Sequence, residues 1–356
     1  MKKIPFIICT ILILLFSCKK NYEERNDLDS QYVKLLWKNK QFEWIPTTLA
    51  AKNKTLYFGN SNREFYGVNL ENSKIIFKFK SDYNPFHMPL ISDQNLFLTE
   101  YGSDLICVDT LGKLKWKIDG ETNLRNDLTE NDNYLYGSVK NKGFGKLNKT
   151  DGSVIWSLPQ NSIITDTNKP AFFNDKVYLG LSQHYAWLQA INKETGKIIW
   201  ENKYENFSHI NQVETQNGLL VCLDKDLKKG KILLLDYESG KEIWSQDLNC
   251  DTYYLPCVVN QNIILSTNNN EVVCIDSKTG KRNWVLNLKN DPAASEIVNF
   301  KENIYFGTKD RNLYSVTIQT GKINFTQQFY YGLSTPIVDH NKIYFPTGGS
   351  EMWVLK

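Results

Sequence analysis

A chain of 356 residues that is 41% hydrophobic, 13% aromatic and 23% charged can bury a large core, and with 10 prolines and 20 glycines it is neither collagen-like nor disordered. Lysine and arginine total 42 against 39 acidic residues, and the net charge of +3 shrinks further when Lys2 and Lys3 leave with the leader, so composition offers no argument for nucleic acid. At roughly 100–200 residues per domain, the length fits two or three domains or one large all-β unit.

Lys2 and Lys3 precede an apolar run from Ile4 to Phe16, which ends in Leu15-Phe16-Ser17-Cys18. The run has 13 residues, where about 20 are needed to span a bilayer, so it reads as an export signal. A small residue followed by cysteine at this place resembles the lipobox of bacterial lipoproteins. That resemblance implies a signal peptide over 1–17, cut before Cys18, and acylation of Cys18. Two or three acyl chains anchor stably, since each buried methylene contributes about 0.8 kcal/mol. Residue 19 is lysine, not the aspartate of an inner-membrane retention signal, which points to the outer membrane with the protein facing the periplasm or the surface. The lipidated cysteine and the polar residues up to 30 form a flexible tether. Within it, Lys20 to Glu24 resembles the short lysine-plus-acid tags of surface lipoproteins.

From residue 31 the chain repeats. A large aromatic recurs at Trp37, Phe77, Trp116, Trp156, Trp200, Trp244, Trp284 and Phe325, at spacings of 40, 39, 40, 44, 44, 40 and 41 residues. Four residues before each of the last seven stands a turn residue: Ser73, Gly112, Gly152, Gly196, Gly240, Gly280 and Gly321. Asp or Asn commonly opens that turn, as at Asn69, Asp109, Asn148, Asn192, Asp236 and Asp276. Asp and Asn hydrogen-bond their own downstream backbone and Gly accepts a positive φ, so each unit predicts a hairpin. A second strand pair lies upstream, as at Ser295 to Asn299 and Ile304 to Thr308. Four short strands per forty residues predict a propeller blade, with the aromatics as anchors between blades.

The two ends complete one another. After Phe325 come three strand-like runs, Thr335 to Asp339, Lys342 to Thr347 and Met352 to Leu355, and no fourth; Val33 to Trp37 is a fourth strand with no third before it. The fold class predicted is therefore all-β: an eight-bladed propeller of four-stranded antiparallel blades over 31–356, closed by pairing the N-terminal strand with the C-terminal three, which leaves no open edge in the ring.

The runs Leu188-Gln-Ala-Ile-Asn-Lys-Glu-Thr-Gly-Lys-Ile-Ile-Trp200 and Val273-Cys-Ile-Asp-Ser-Lys-Thr-Gly-Lys-Arg-Asn-Trp284 resemble the pyrroloquinoline-quinone (PQQ)-type repeat with its tryptophan-docking motif. Pro46, Pro89, Pro170, Pro256 and Pro336 precede apolar runs, as they do in that family's innermost strands. The resemblance implies a fold shared by several functions. One is the eight-bladed lipoprotein of the outer-membrane β-barrel assembly machinery, a scaffold with protein partners and no cofactor. Another is the quinoprotein dehydrogenases, which hold PQQ with calcium. A surface receptor for glycan or protein is a third use of such a ring.

Catalytic chemistry finds little support in the residues. Quinoprotein alcohol dehydrogenases carry adjacent cysteines above the quinone, and this chain has none. Once Cys9 is cut off and Cys18 acylated, Cys107, Cys222, Cys250, Cys257 and Cys274 remain; the first two and Cys274 read as small core hydrophobes. Cys250 and Cys257 could pair in an oxidising compartment, and an odd total leaves a free thiol. The four histidines, His87, His184, His209 and His340, stand in no metalloprotease or metal-binding spacing. No catalytic residue and no metal site is assigned. The expected activity is a non-catalytic binding or protein-interaction scaffold in the envelope, monomeric or part of a hetero-complex.

Binding candidates follow from geometry. Innermost strands start at one channel mouth, which places Trp44, His87, Arg125, Asn168, Asn211, Tyr254, Ser295 and Ser334 near one ring, with His209 beside them. The two 44-residue intervals add length near 182–186 and 225–229, and the first carries Tyr185 and Trp187. These two are candidate partner contacts whose loss should leave the melting temperature unchanged.

Overall fold

The computed structural model describes residues 30–42, 49–60, 62–82, 88–99, 105–118, 128–139, 143–158, 169–182, 184–225, 229–248 and 254–356. Their strands form eight four-stranded antiparallel sheets. Seven are built from consecutive strands. Blade 6 is typical: Cys257–Val259 innermost, then Asn262–Thr267, Glu271–Asp276 and Arg282–Asn287 outermost. The eighth is composite. Ile337–Asp339, Lys342–Thr347 and Glu351–Leu355 are joined on their outer side by Val33–Lys38, with Val33 opposite Leu355 and Trp37 opposite Met352. A single 3₁₀ turn, Lys40–Phe42, follows, and no helix among the described residues is long and apolar enough to cross a membrane.

The hairpin chemistry read from the sequence holds at the turns opened by Asn69, Asp109, Asn148, Asn192, Asp236 and Asp276. In blade 6 Asp276 Oδ1 accepts the backbone N–H groups of Lys278 and Thr279, and Gly280 takes φ +71° to return the chain. Where the glycine is missing, Ser73 adopts the same left-handed conformation at φ 58°. The innermost strands are shorter than the sequence alternation suggests. In blade 7 the strand is Val298–Phe300 and does not begin at Ser295, because Ser295 Oγ itself accepts the Gly307 N–H at 2.8 Å.

Blades are joined by the recurrent aromatics. Each anchor except Phe325 lies against the third-to-fourth turn of the next blade, and at most seams the turn glycine leaves room for the ring. A Cβ on Gly321 would come within 2.6 Å of the Trp284 ring, and on Gly280 within 2.8 Å of Trp244. The indole N–H completes the dock by donating to the carbonyl that follows the turn's opening residue: Trp244 to Ser277 at 3.0 Å, Trp284 to Ile318 at 2.8 Å, and Trp37 of the composite blade to Leu70 at 2.9 Å. A buried polar edge is thereby satisfied while the ring fills the seam. Phe77 and Phe325 supply the ring without the N–H. Phe77 still packs under Gly112, but Phe325 meets no hairpin turn; it stacks on Tyr32 at 4.2 Å with the planes 6° apart.

On the face that carries these turns, lysines cross several seams. Lys149 Nζ reaches Glu130 at 2.7 Å and Asp93 at 3.1 Å, Lys193 reaches Asp132 at 2.7 Å, and Lys176 reaches Glu238 at 2.8 Å. Lys146 is only 1% exposed, lies 3.8 Å above the Tyr134 ring and donates to Glu194. Being paired with Glu130 and Glu238, Lys149 and Lys176 are held above the ordinary lysine pKa. The opposite face carries the described second-to-third turns, such as 268–270, and holds the described channel-mouth candidates.

Candidate functional site

Trp44, His87, Arg125 and Asn168 lie outside the described residues, as do Cys18 and Cys250. His209 and Asn211 sit on the innermost strand of blade 5, His209–Thr215; Tyr254, Ser295 and Ser334 each lie three residues before the innermost strand of blades 6, 7 and 8. They are not equivalent in what they present. Ser295 and Ser334 are buried, and Ser295 Oγ is bonded to the Gly307 N–H and the Glu296 carbonyl. Asn211 and Tyr254 are half-buried, and His209 is exposed.

His209 carries the most chemistry at this end. Its Nδ1 lies 3.2 Å from Asp224 Oδ1 and 3.0 Å from Ser208 Oγ. A serine, a histidine and an aspartate thus come together, but both partners meet the same ring nitrogen. A hydrolytic relay needs the serine on one nitrogen and the carboxylate on the other, so this trio is not a nucleophile and base. Burial raises the Asp224 pKa, against the pull of the neighbouring imidazole.

Blades 4 and 5 absorb the extra length of the two long repeats mainly as strand. Blade 4 runs Lys176–Ser182, Ala186–Asn192 and Ile198–Tyr204, and blade 5 Gly218–Lys225, Lys229–Leu235 and Glu242–Leu248, seven or eight residues each where blade 7 has five or six. The ladder therefore continues past the ring at this point as a raised wall. Tyr185 sits in the bend at its edge, half-buried, 6.4 Å from the Trp187 ring. Trp187 is a strand residue. It packs on the core cluster of Tyr136, Phe144 and Leu181, and Lys203 Nζ lies 4.8 Å over its ring. The expectation that both aromatics can be removed without thermal effect is thus corrected for Trp187, whose loss would open a gap in the seam with blade 3. Its buried Nε1 has no acceptor among the described residues. The length of the wall was legible in the spacing; the inward turn of Trp187 was not, because alternation does not say which blade a strand face meets.

A quinone cofactor with calcium would need a gathered set of oxygen donors. Calcium takes about 6–8 oxygen ligands. Among the described residues no three His, Cys, Asp or Glu side chains gather to hold a metal ion, and the chain has no adjacent cysteines. Cys107 and Cys274 are buried on third strands, Cys222 on a second strand, and Cys257 is half-buried. Burial pushes the thiols of Cys107, Cys257 and Cys274 up to about 11, away from nucleophilic use.

Comparison with known proteins agrees with the architecture. Over 258 residues the chain is 24% identical to the outer membrane protein assembly factor BamB of Moranella endobia, covering 68% of this chain and 64% of that protein. It is 31% identical over 121 residues to a quinoprotein ethanol dehydrogenase of Pseudomonas putida, 32% of this chain but 18% of the enzyme. The chain therefore spans less than two thirds of both relatives. The crystal structure of BamB from Moraxella catarrhalis superposes with a TM-score of 0.70 at 14% identity, covering 91% of this chain and 99% of that one. A europium-containing methanol dehydrogenase superposes at 0.64 and 14% identity, over 88% and 84% of the two chains, which shows a common fold. Residues 28–205 and 184–332 match the family profile described as outer membrane protein assembly factor BamB, built on PQQ-type repeats, and the chain belongs to that family.

Proposed function

We propose that the protein is a lipid-anchored propeller of the outer membrane, facing the periplasm or the surface, that acts as a non-catalytic protein-interaction scaffold in outer-membrane protein assembly. The observation that carries this reading is the family match across residues 28–332. Anchoring is assigned to Cys18, on the leader pattern of residues 1–18. The match to a quinoprotein covers 18% of that enzyme and is accounted for by the repeat itself.

Partner capture is assigned to the raised wall of blades 4 and 5. A half-buried tyrosine on a protruding bend is the kind of rigid, amphipathic group that anchors interfaces. A photo-crosslinker placed at residue 184, the exposed neighbour of Tyr185, should recover an outer-membrane assembly protein in native membranes. Tyr185→Ala should lower that recovery by about tenfold with the melting temperature unchanged. Undiminished recovery would remove the wall from the interface. Crosslinks that contain no assembly protein would overturn the function.

A further inference from the structure

The seam between blades 7 and 8 differs from its neighbours in what covers the anchor. The third and fourth strands of blade 8 are not joined by a hairpin turn, so no turn is laid over Phe325. A cleft of about 460 Å³ opens beside it. A second cleft, of about 180 Å³, adjoins the seam anchored by Phe77, the other position where phenylalanine replaces tryptophan.

The lining of the larger cleft is polar and ordered. Thr317 Oγ1 donates to Asn324 Oδ1 at 3.0 Å, and Asn324 Nδ2 donates to Asn303 Oδ1 at 2.9 Å and to Ser315 Oγ at 3.4 Å. This chain fixes the amides in one orientation and leaves the Asn303 Nδ2 hydrogens directed to an outside acceptor. The stacked Phe325 and Tyr32 supply an aromatic wall. Charges of both signs, at Glu302 and Lys356, border the cleft, so no cluster of one sign marks it for an ion. A purely apolar ligand would strip water from the amides and hydroxyls without replacing it. What matches fixed amide and hydroxyl groups beside an aromatic wall is a ring with hydroxyls on its rim and C–H bonds on its face.

We infer that the seam between blades 7 and 8 is a binding site for a neutral pyranose sugar, held by Asn303 and its hydrogen-bonded neighbours against the Phe325–Tyr32 stack. The site is remote from the wall of blades 4 and 5 and does not depend on the assembly role. The volume lies within the usual range of small-molecule sites, about 300–1,000 Å³.

Two probes separate an amino sugar from a plain one: N,N′-diacetylchitobiose and maltose, each titrated against the full chain by saturation-transfer NMR. Saturable binding of either, with a Kd near about 1 mM, is expected. It should weaken about tenfold in Asn303→Ala, which removes the outward amide, and in Gln31→Trp, which covers the mouth and spares the hydrogen-bond chain. Both variants should melt with the parent. Saturation by neither sugar, or binding unchanged in folded Gln31→Trp, overturns the assignment.

Discussion

The seam between blades 6 and 7 and the seam between blades 7 and 8 perform the same task with different parts. In the first, Trp284 is clasped by the turn at Gly321 and its N–H is taken by the Ile318 carbonyl. In the second, Phe325 has no N–H to place and no turn above it; a tyrosine from the other end of the chain lies flat on its ring, and the Lys356 N–H closes the ladder onto the Tyr32 carbonyl. A seam inside the repeat can use a local hairpin, whereas the closing seam must recruit residues more than 290 positions away. The larger of the two clefts lies where no turn covers the anchor.

The largest expected effect tests whether the indole seam is the stronger. Trp284→Ala should lower stability by about 3–4 kcal/mol, combining a lost ring and a carbonyl left without its donor. Tyr32→Ala, which removes a half-buried ring from one face of Phe325, should lose about 1–2 kcal/mol. Chemical denaturation of both variants measures the gap, and equal losses would break the comparison. Next comes the glycine. Gly321→Ala adds a Cβ at 2.6 Å from the Trp284 ring on a backbone of φ +67°, and should cost about 2–3 kcal/mol. Gly332, in the connection entering the closing blade, has nothing within 4 Å of its added Cβ, and its alanine variant should stay within about 0.5 kcal/mol of the parent.

The smallest effect concerns charge. Lys176 bridges blades 4 and 5 through Glu238, and through its hydrogen bond it holds Asp175 below the usual carboxylate pKa. A carboxylate depressed in the folded state stabilises above its unfolded pKa, and that contribution disappears as pH falls through the folded value. Lys176→Met should therefore melt a little below the parent at pH 7, with the difference narrowing as the medium is acidified below the carboxylate range. The Tyr32→Ala deficit, which has no such ionic part, should not narrow. Thermal melts across pH separate the two kinds of seam.

The ring was legible because its signal is periodic. The anchors, the turn glycines and the partnership of Val33–Trp37 with the last three strands follow from residue spacing, which a repeat preserves even where blade lengths differ. The site was less legible, since it depends on which side chains turn inward. Ser295 and Ser334 align with the mouth by position but are drawn into the packing, one of them capping a glycine N–H. Trp187 looked like the tip of an insert and became a strand residue of the blade 3 seam. The Asn303–Asn324–Thr317 chain had no sequence signal at all, because its members come from three different strands of one blade.

The pairing of Val33 with Leu355 also sets an order of events during folding. Val33–Lys38 must wait, without its strand partner, until Glu351–Leu355 arrives, while the seven other blades can form between them. Long-range closure of this kind is slow, and it exposes a sticky β-edge at both ends meanwhile. Ring completion is thus the step at which a chaperone would have most to protect, and at which loss of Glu351–Leu355 would do damage far out of proportion to its length.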